Sequence, residues 1–395
     1  MIALGATLGV QIMSSFASAA IPLLGPVITE RWGLAPEDIG YVSATISVGI
    51  CWFLACGGPA LARHGPVRTL QIGLVLLAVG LALLVQHLAW VGLVGALLVG
   101  LGVAPNTPAG SLILKRTAPP AHRSLIFSIK QAGVPFGGVL AGVAVAPWLG
   151  EFGFAGVILA LIAVLAASIV MVQPFRRTLD TERDKSGERW LRTFLALSSL
   201  ARTTRVLATH PILPLLTALG VAFSFTQTCV MAFTATYMVT VHGDTLAAAG
   251  LYVAALLAAS TAARIAFGWL ADRLGGGLTL LFVLAIAAGA SIVLFLLAAG
   301  TSPLPIYGAM ILVGATCVGW NGVHMAELAR AAPDELIGDV TSAASLFGFA
   351  GAICGPIVFA MVANWTGSFT WPFLLAAGQL AAFGLVALLR FRLSR

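Results

Sequence analysis

Two cations stand far from other charges inside apolar sequence, Lys130 within IFSIKQAGVPFGGVLAG and Arg264 within AASTAARIAFG. A charge at the centre of a membrane helix costs about 2.5–3.5 kcal/mol, so such a residue is kept for a task. Helical spacing puts Gly133, Val134, Gly137 and Ala141 on the Lys130 face, and Ser260, Thr261, Gly268 and Ala271 on the Arg264 face. Small residues mark close helix contacts rather than lipid. The chemistry two such groups could do is anion capture, with Arg offering a bidentate fork and Lys a point charge. The bland alternatives are snorkelling to the headgroups and, for Arg264, bracing Asp272 two turns on.

A second constellation is GWNGVHMAEL (319–328), where Asn321 and His324 share one helical face and Glu327 lies about 60° round from His324. Glu327 is the acid expected to carry a coupling proton; the alternative is an ionised partner of Arg330 or Arg264. Gln11, Gln227, Asn106 and Thr107 are further polar groups in apolar runs, able to hydrogen-bond a solute or simply to hold helices together.

Other chemistries are missing. None of the three lysines follows a glycine in the phosphate-loop pattern, and no paired carboxylates or nucleophile–base spacing stand out. The six histidines have no metal-ligand spacing, and the five cysteines (Cys51, Cys56, Cys229, Cys317, Cys354) form no CxxC pair and sit in apolar stretches. No metal and no cofactor is expected.

The elements that must position these groups follow from composition. Of 395 residues, 59% are apolar and 9% charged, against about 25% charged in a soluble domain. A soluble multi-domain enzyme is excluded, and a β-barrel would show short alternating strands rather than long runs. Runs long enough to span a bilayer number twelve: 2–28, 38–60, 67–88, 90–114, 123–148, 152–172, 210–240, 246–270, 277–299, 304–329, 337–363 and 367–390. The first has no basic residue ahead of it and reads as a retained helix rather than a cleaved leader.

The expected organisation is a six-helix bundle over 1–172, a charged linker over 173–209, and a second six-helix bundle with a short basic tail over 210–395. With the linker in the cytoplasm, eighteen of the 21 Lys and Arg residues fall on the inner side and only Arg31 on the outer; Lys130 and Arg264 are the other two. By the positive-inside rule both termini are cytoplasmic, so the +7 net charge reports topology and not a nucleic-acid partner. The halves also repeat: LKRTAPPAHRS (114–124) parallels LARAAPDELIG (328–338), and GPALARHG (58–65) parallels GWLADRLG (268–275). Internal repeats of this kind mark secondary transporters.

On these residues the chain resembles the major facilitator superfamily. Its loop motif, roughly G-x-x-x-D-R-x-G-x-x-R/K, is complete in the second copy, with Gly268, Asp272, Arg273 and Gly275. The first copy keeps Gly58, Arg63, Gly65 and Arg68 but carries Ala62 in place of the family's Asp. The resemblance implies the MFS fold, an all-α integral membrane protein with twelve transmembrane helices in two pseudo-symmetric bundles. It implies that Asp272 holds the start of helix five near His122 and Arg123. At Ala62 the equivalent latch is missing, which favours the inward-open state unless another group substitutes. It also implies that helices five and eight face each other, bringing Lys130 opposite Arg264. Helices one, four, seven and ten would line a cavity bearing Gln11, Gln227, Asn321 and His324. GVPFGGVLAG (133–142) is similar to an antiporter glycine motif, short by one residue.

The function expected is a secondary active transporter of the cytoplasmic membrane that moves a small organic anion with protons by alternating access. The molecule is expected to act as a monomer, with the solute, protons and the lipid bilayer as its partners. The alternatives are an efflux antiporter for lipophilic compounds and, more remotely, a transporter-like sensor or a membrane enzyme.

Overall fold

The computed structural model describes residues 2–117, 123–180, 207, 212–333 and 337–393, and among these it is helical, without a strand. In chain order the helices are α1 (Ile2–Leu23), α2 (Gly25–Trp32), α3 (Ile39–Cys56), α4 (Gly58–His64), α5 (Pro66–Leu84), α6 (Ala89–Val103), α7 (Asn106–Thr117), α8 (Arg123–Val172) and α9 (Arg176–Leu179). After the linker come α10 (Ile212–Thr240), α11 (Leu246–Arg273), α12 (Leu278–Ala298), α13 (Pro303–Val313), α14 (Asn321–Ala331), α15 (Ile337–Thr366) and α16 (Thr370–Leu393). Most of the linker, residues 181–206, lies outside the described residues, as does His122.

Among the described residues eleven stretches are long and apolar enough to cross a membrane, one of them 47 residues long, Ile129–Phe175. That stretch holds two crossings. Gly153 sits inside α8 at φ 66°, ψ 177°, a conformation open to glycine, and it ends one helix and starts the next. Among the described residues twelve apolar crossings result, as the hydropathy runs require.

Two crossings are themselves broken. The fourth stops at Val103 and restarts at Asn106, because Pro105 has no N–H to continue the ladder. The tenth passes through a π-turn over Gly314–Val318 before α14 begins at Asn321. The two breaks fall at matching places in the repeat, and each second half-helix opens on an asparagine.

One compact unit takes Met1–Leu34 and Thr45–Ser199, the other Ala35–Ala44 and Leu200–Arg395. In the first, α1 packs along the first half of α8 over the small-residue stripe. A Cβ at Gly137 would lie 2.5 Å from the Ile12 carbonyl oxygen, and Ala141 is fully buried. Val134, by contrast, is 39% exposed, so it stands off the packed stripe. In the second unit, Phe233 stacks on Phe359 at 3.8 Å and Phe359 meets Phe373 edge-on. Apolar side chains also point outward: Trp365 is 87% exposed, Leu304 81% and Ile265 71%. Such a surface suits hydrocarbon, where apolar contact costs nothing and every backbone polar group must be satisfied inside its own helix.

Candidate functional site

In the first unit a cluster of buried polar groups, Gln11, Ser14, Ser15 and Asn106, surrounds Lys130, which is 1% exposed and the bulkiest fully buried side chain among that unit's described residues. The Lys130 stem lies across Gly110 of α7: a Cβ there would sit 2.8 Å from Lys130 Cε. A glycine at 110 therefore makes the slot that admits the side chain. Lys130 Nζ donates to the Asn106 carbonyl oxygen at 2.9 Å and, at 3.4 Å, to Gln131 Oε1. The Asn106 amide in turn donates to Ser14 Oγ (2.7 Å) and to the Val103 carbonyl (3.0 Å), tying the helix break to α1. Among the described residues no carboxylate pairs with Lys130. An ammonium surrounded by neutral oxygens in a dry interior keeps an uncompensated positive charge.

Gln11 belongs to the same cluster. Its Nε2 reaches Ser15 Oγ at 3.4 Å, while its Oε1 is buried without a partner. Thr107, one residue past the break, is exposed.

The second unit builds a different cluster between α10 and the tenth crossing. Trp320 stacks on Phe223 with centroids 4.7 Å apart and donates its indole N–H to Gln227 Oε1 at 2.9 Å. An indole can only donate, so the Gln227 oxygen is committed and its NH2 group faces away. His324 is 2% exposed and bonds through Nε2 to the Leu216 carbonyl at 2.8 Å. A carbonyl can only accept, so Nε2 carries the proton; Nδ1 is buried without a partner. Asn321 and Arg264 are half-buried. Arg264 Nε is buried with no hydrogen-bond partner among the described residues, and Asp272 is exposed, so the expected brace between Arg264 and Asp272 does not form. The expected hold of Asp272 on residues 122–123 falls on side chains outside the described residues.

Glu327 does not stand free beside His324. Its Oε1 accepts from the Gly277 backbone N–H at 2.7 Å and from Arg330 Nη1 at 2.8 Å. Gly277 is the N-cap of α12, where a carboxylate satisfies an orphan N–H and meets the positive helix end. These two contacts give Glu327 the work of a cap.

The first repeat has its own version. Asp180, 5% exposed just after α9, accepts from the backbone N–H groups of Val67 (2.7 Å) and Arg68 (3.1 Å) at the start of α5. Arg176 Nε lies 3.8 Å from it. Pro66 at the first helical position has no N–H to satisfy. Val67 and Gly277 each stand two residues past the second glycine of their loop motif, so the same amide is capped in both repeats by carboxylates from unrelated elements. Gly65, at φ 81°, has no room for a Cβ, which would lie 2.8 Å from the Asp180 carboxyl carbon. Arg63 and Arg68 are exposed beside it, as is Ala62.

Sequence reasoning missed Gly110, Trp320 and Asp180. The repeat held a signal for the first, since Gly110 aligns with His324 at the offset of 214 that relates residues 114–124 to 328–338. Asp180 follows Arg176 at ion-pair spacing but looks like one more linker charge.

A family model described as Major Facilitator Superfamily matches residues 7–356. The chain is 25% identical over 332 residues to an uncharacterised MFS-type transporter of Mycobacterium tuberculosis (strain CDC 1551 / Oshkosh), covering 82% of this chain and 70% of that one. It is 24% identical over 125 residues to a hexuronate transporter of Bacillus subtilis (strain 168), covering 31% and 30% respectively. Among solved structures, a peptide transporter POT in complex with sulfate matches with a TM-score of 0.77 at 15% identity, over 98% of this chain and 93% of that one. That likeness is one of fold.

Proposed function

The chain belongs to the major facilitator superfamily, and from that premise we propose that it carries a small organic anion across the cytoplasmic membrane by alternating access, with protons as the coupling ion. As a member of that family it is a membrane transporter and not an enzyme. The observation that carries the anion reading is Lys130. It is 1% exposed, held only by neutral oxygens, and faces no carboxylate among the described residues. Burying such a charge without compensation is expensive, and a substrate carboxylate would supply the missing partner. Arg264 supports the reading independently through its unpartnered guanidinium nitrogen. The partial similarity to a hexuronate transporter points to the same class of solute.

The test is uptake of D-glucuronate into proteoliposomes holding the purified full chain under an imposed proton gradient. Accumulation that collapses with a protonophore is expected. Lys130→Gln should abolish it and Lys130→Arg should weaken it less. Arg264→Lys should cost more than its unchanged charge implies, because the fork is lost. A Lys130→Gln protein that folds and accumulates glucuronate like wild type would sink the anion assignment.

A further inference from the structure

The hydrogen bonds around Lys130 leave two groups over. Ser14 Oγ donates to the Gln11 carbonyl (3.3 Å), the Asn106 amide is spent on Ser14 and Val103, and Lys130 gives two of its three N–H donors to Asn106 and Gln131. What remains includes one charged donor on Lys130 and one buried bare acceptor, Gln11 Oε1, 3% exposed as a residue and unpartnered.

The two belong to one cluster. A Cβ at Gly133, one turn along from Lys130, would lie 3.2 Å from Gln11 Cγ, and Asn106 touches both Lys130 and the serine three residues after Gln11. Gln11 thus packs against α8 one helical turn from Lys130, and Ser14 and Asn106 link the two residues. A buried acceptor left bare costs as much as a lost hydrogen bond, and a buried cation without a counter-ion costs more. One ligand could answer both.

A plain carboxylate answers only half. It supplies acceptors to Lys130 and leaves Gln11 Oε1 facing another oxygen. An amino acid brings an ammonium towards Lys130 and is repelled. A hydroxy acid brings a carboxylate for Lys130 and, one or two carbons away, an O–H for Gln11. We propose that, among organic anions, this carrier selects hydroxy acids, with Lys130 holding the carboxylate and the Gln11 amide oxygen accepting from a neighbouring hydroxyl. The proposal rests on the anion reading above and narrows its substrate class. Both groups are closed from solvent in this structure, so the ligand meets them at another stage of the alternating cycle.

Calorimetry on the purified full chain separates the two readings, using D-gluconate against hexanoate and lactate against propionate. Each hydroxy acid is expected to bind at least about tenfold more tightly than its plain partner, because a site built for a hydroxyl rejects the analogue lacking it. Gln11→Met should bring the members of each pair within about threefold by weakening the hydroxy acid, while Lys130→Gln weakens all four. Gln11→Asn, which keeps a shortened amide, should retain part of the preference and covers the case in which the Met variant does not fold. Equal binding of hydroxy and plain acids by wild type, or an unchanged ratio in a folded Gln11→Met protein, overturns the hydroxy selection and leaves the anion reading standing. Failure of all four acids to bind wild type overturns both.

Discussion

At the scale of single residues, the Lys130 site depends on a hydrogen atom at position 110. A methyl group there would meet Lys130 Cε at 2.8 Å, and the flexible stem is what yields. Gly110→Ala should therefore fold and melt close to wild type while moving the ammonium off the Asn106 carbonyl. Binding of D-gluconate is expected to weaken by about tenfold, the order of one charge-assisted hydrogen bond. If Gly110 acts through Lys130, the same change in a Lys130→Met background should add almost nothing. Additive losses would mean that Gly110 matters for helix packing alone. In the second unit, Trp320→Phe keeps the stack on Phe223 but removes the donor to Gln227. Removing that one hydrogen bond should lower the melting temperature only slightly, since a neutral hydrogen bond contributes about 1 kcal/mol.

At the scale of elements, the starts of α5 and α12 are held by carboxylates from other parts of their units. Asp180→Asn and Glu327→Gln keep the shapes of the side chains and remove the charge. Loss of a helix cap costs about 1 kcal/mol, so each variant should melt lower. Amide exchange should quicken at Val67 and Arg68 in the first variant and at Gly277 in the second. Unchanged protection at those amides would show that water replaces the carboxylates without loss. Glu327→Gln serves a second purpose. As a cap, Glu327 leaves proton-driven accumulation intact once the fraction of folded protein is allowed for. If accumulation stops while substrate exchange continues, Glu327 carries the proton after all.

At the scale of the whole molecule, the distribution of Lys and Arg carries a prediction about orientation. From eighteen residues against one, the positive-inside rule predicts that the linker and both termini lie in the cytoplasm. A Ser186→Cys protein cleared of its five native cysteines should resist an impermeant thiol reagent in intact cells and react in inside-out vesicles. The opposite pattern would reverse the topology. The native cysteines described are all free thiols.

The sequence by itself determined the twelve crossings, the family, the two loop motifs and the isolation of Lys130. Each follows from a local property: the apolar length a bilayer demands, the spacing of a short motif, or one charge among apolar neighbours. Periodicity also found the stripe of Gly133, Gly137 and Ala141, because a helix repeats every 3.6 residues, although it counted Val134 into that face. Partners were a different matter. Asp180 lies 113 residues from the amide it caps and Glu327 lies 50 from Gly277, and no periodicity reaches across such distances. In isolation Glu327 read equally as a proton carrier beside His324 or as an ionised partner of Arg330 or Arg264, and Arg264 as an anion-binding cation or a brace for Asp272. Only the packed helices decided that Glu327 is spent on a helix end, that Trp320 fixes the Gln227 amide, and that the Gln11 oxygen is left bare. A hydrogen bond is set by angstroms between groups that the chain brings together only by folding, and so the sequence names the groups while the tertiary structure decides which of them remain free to meet a substrate.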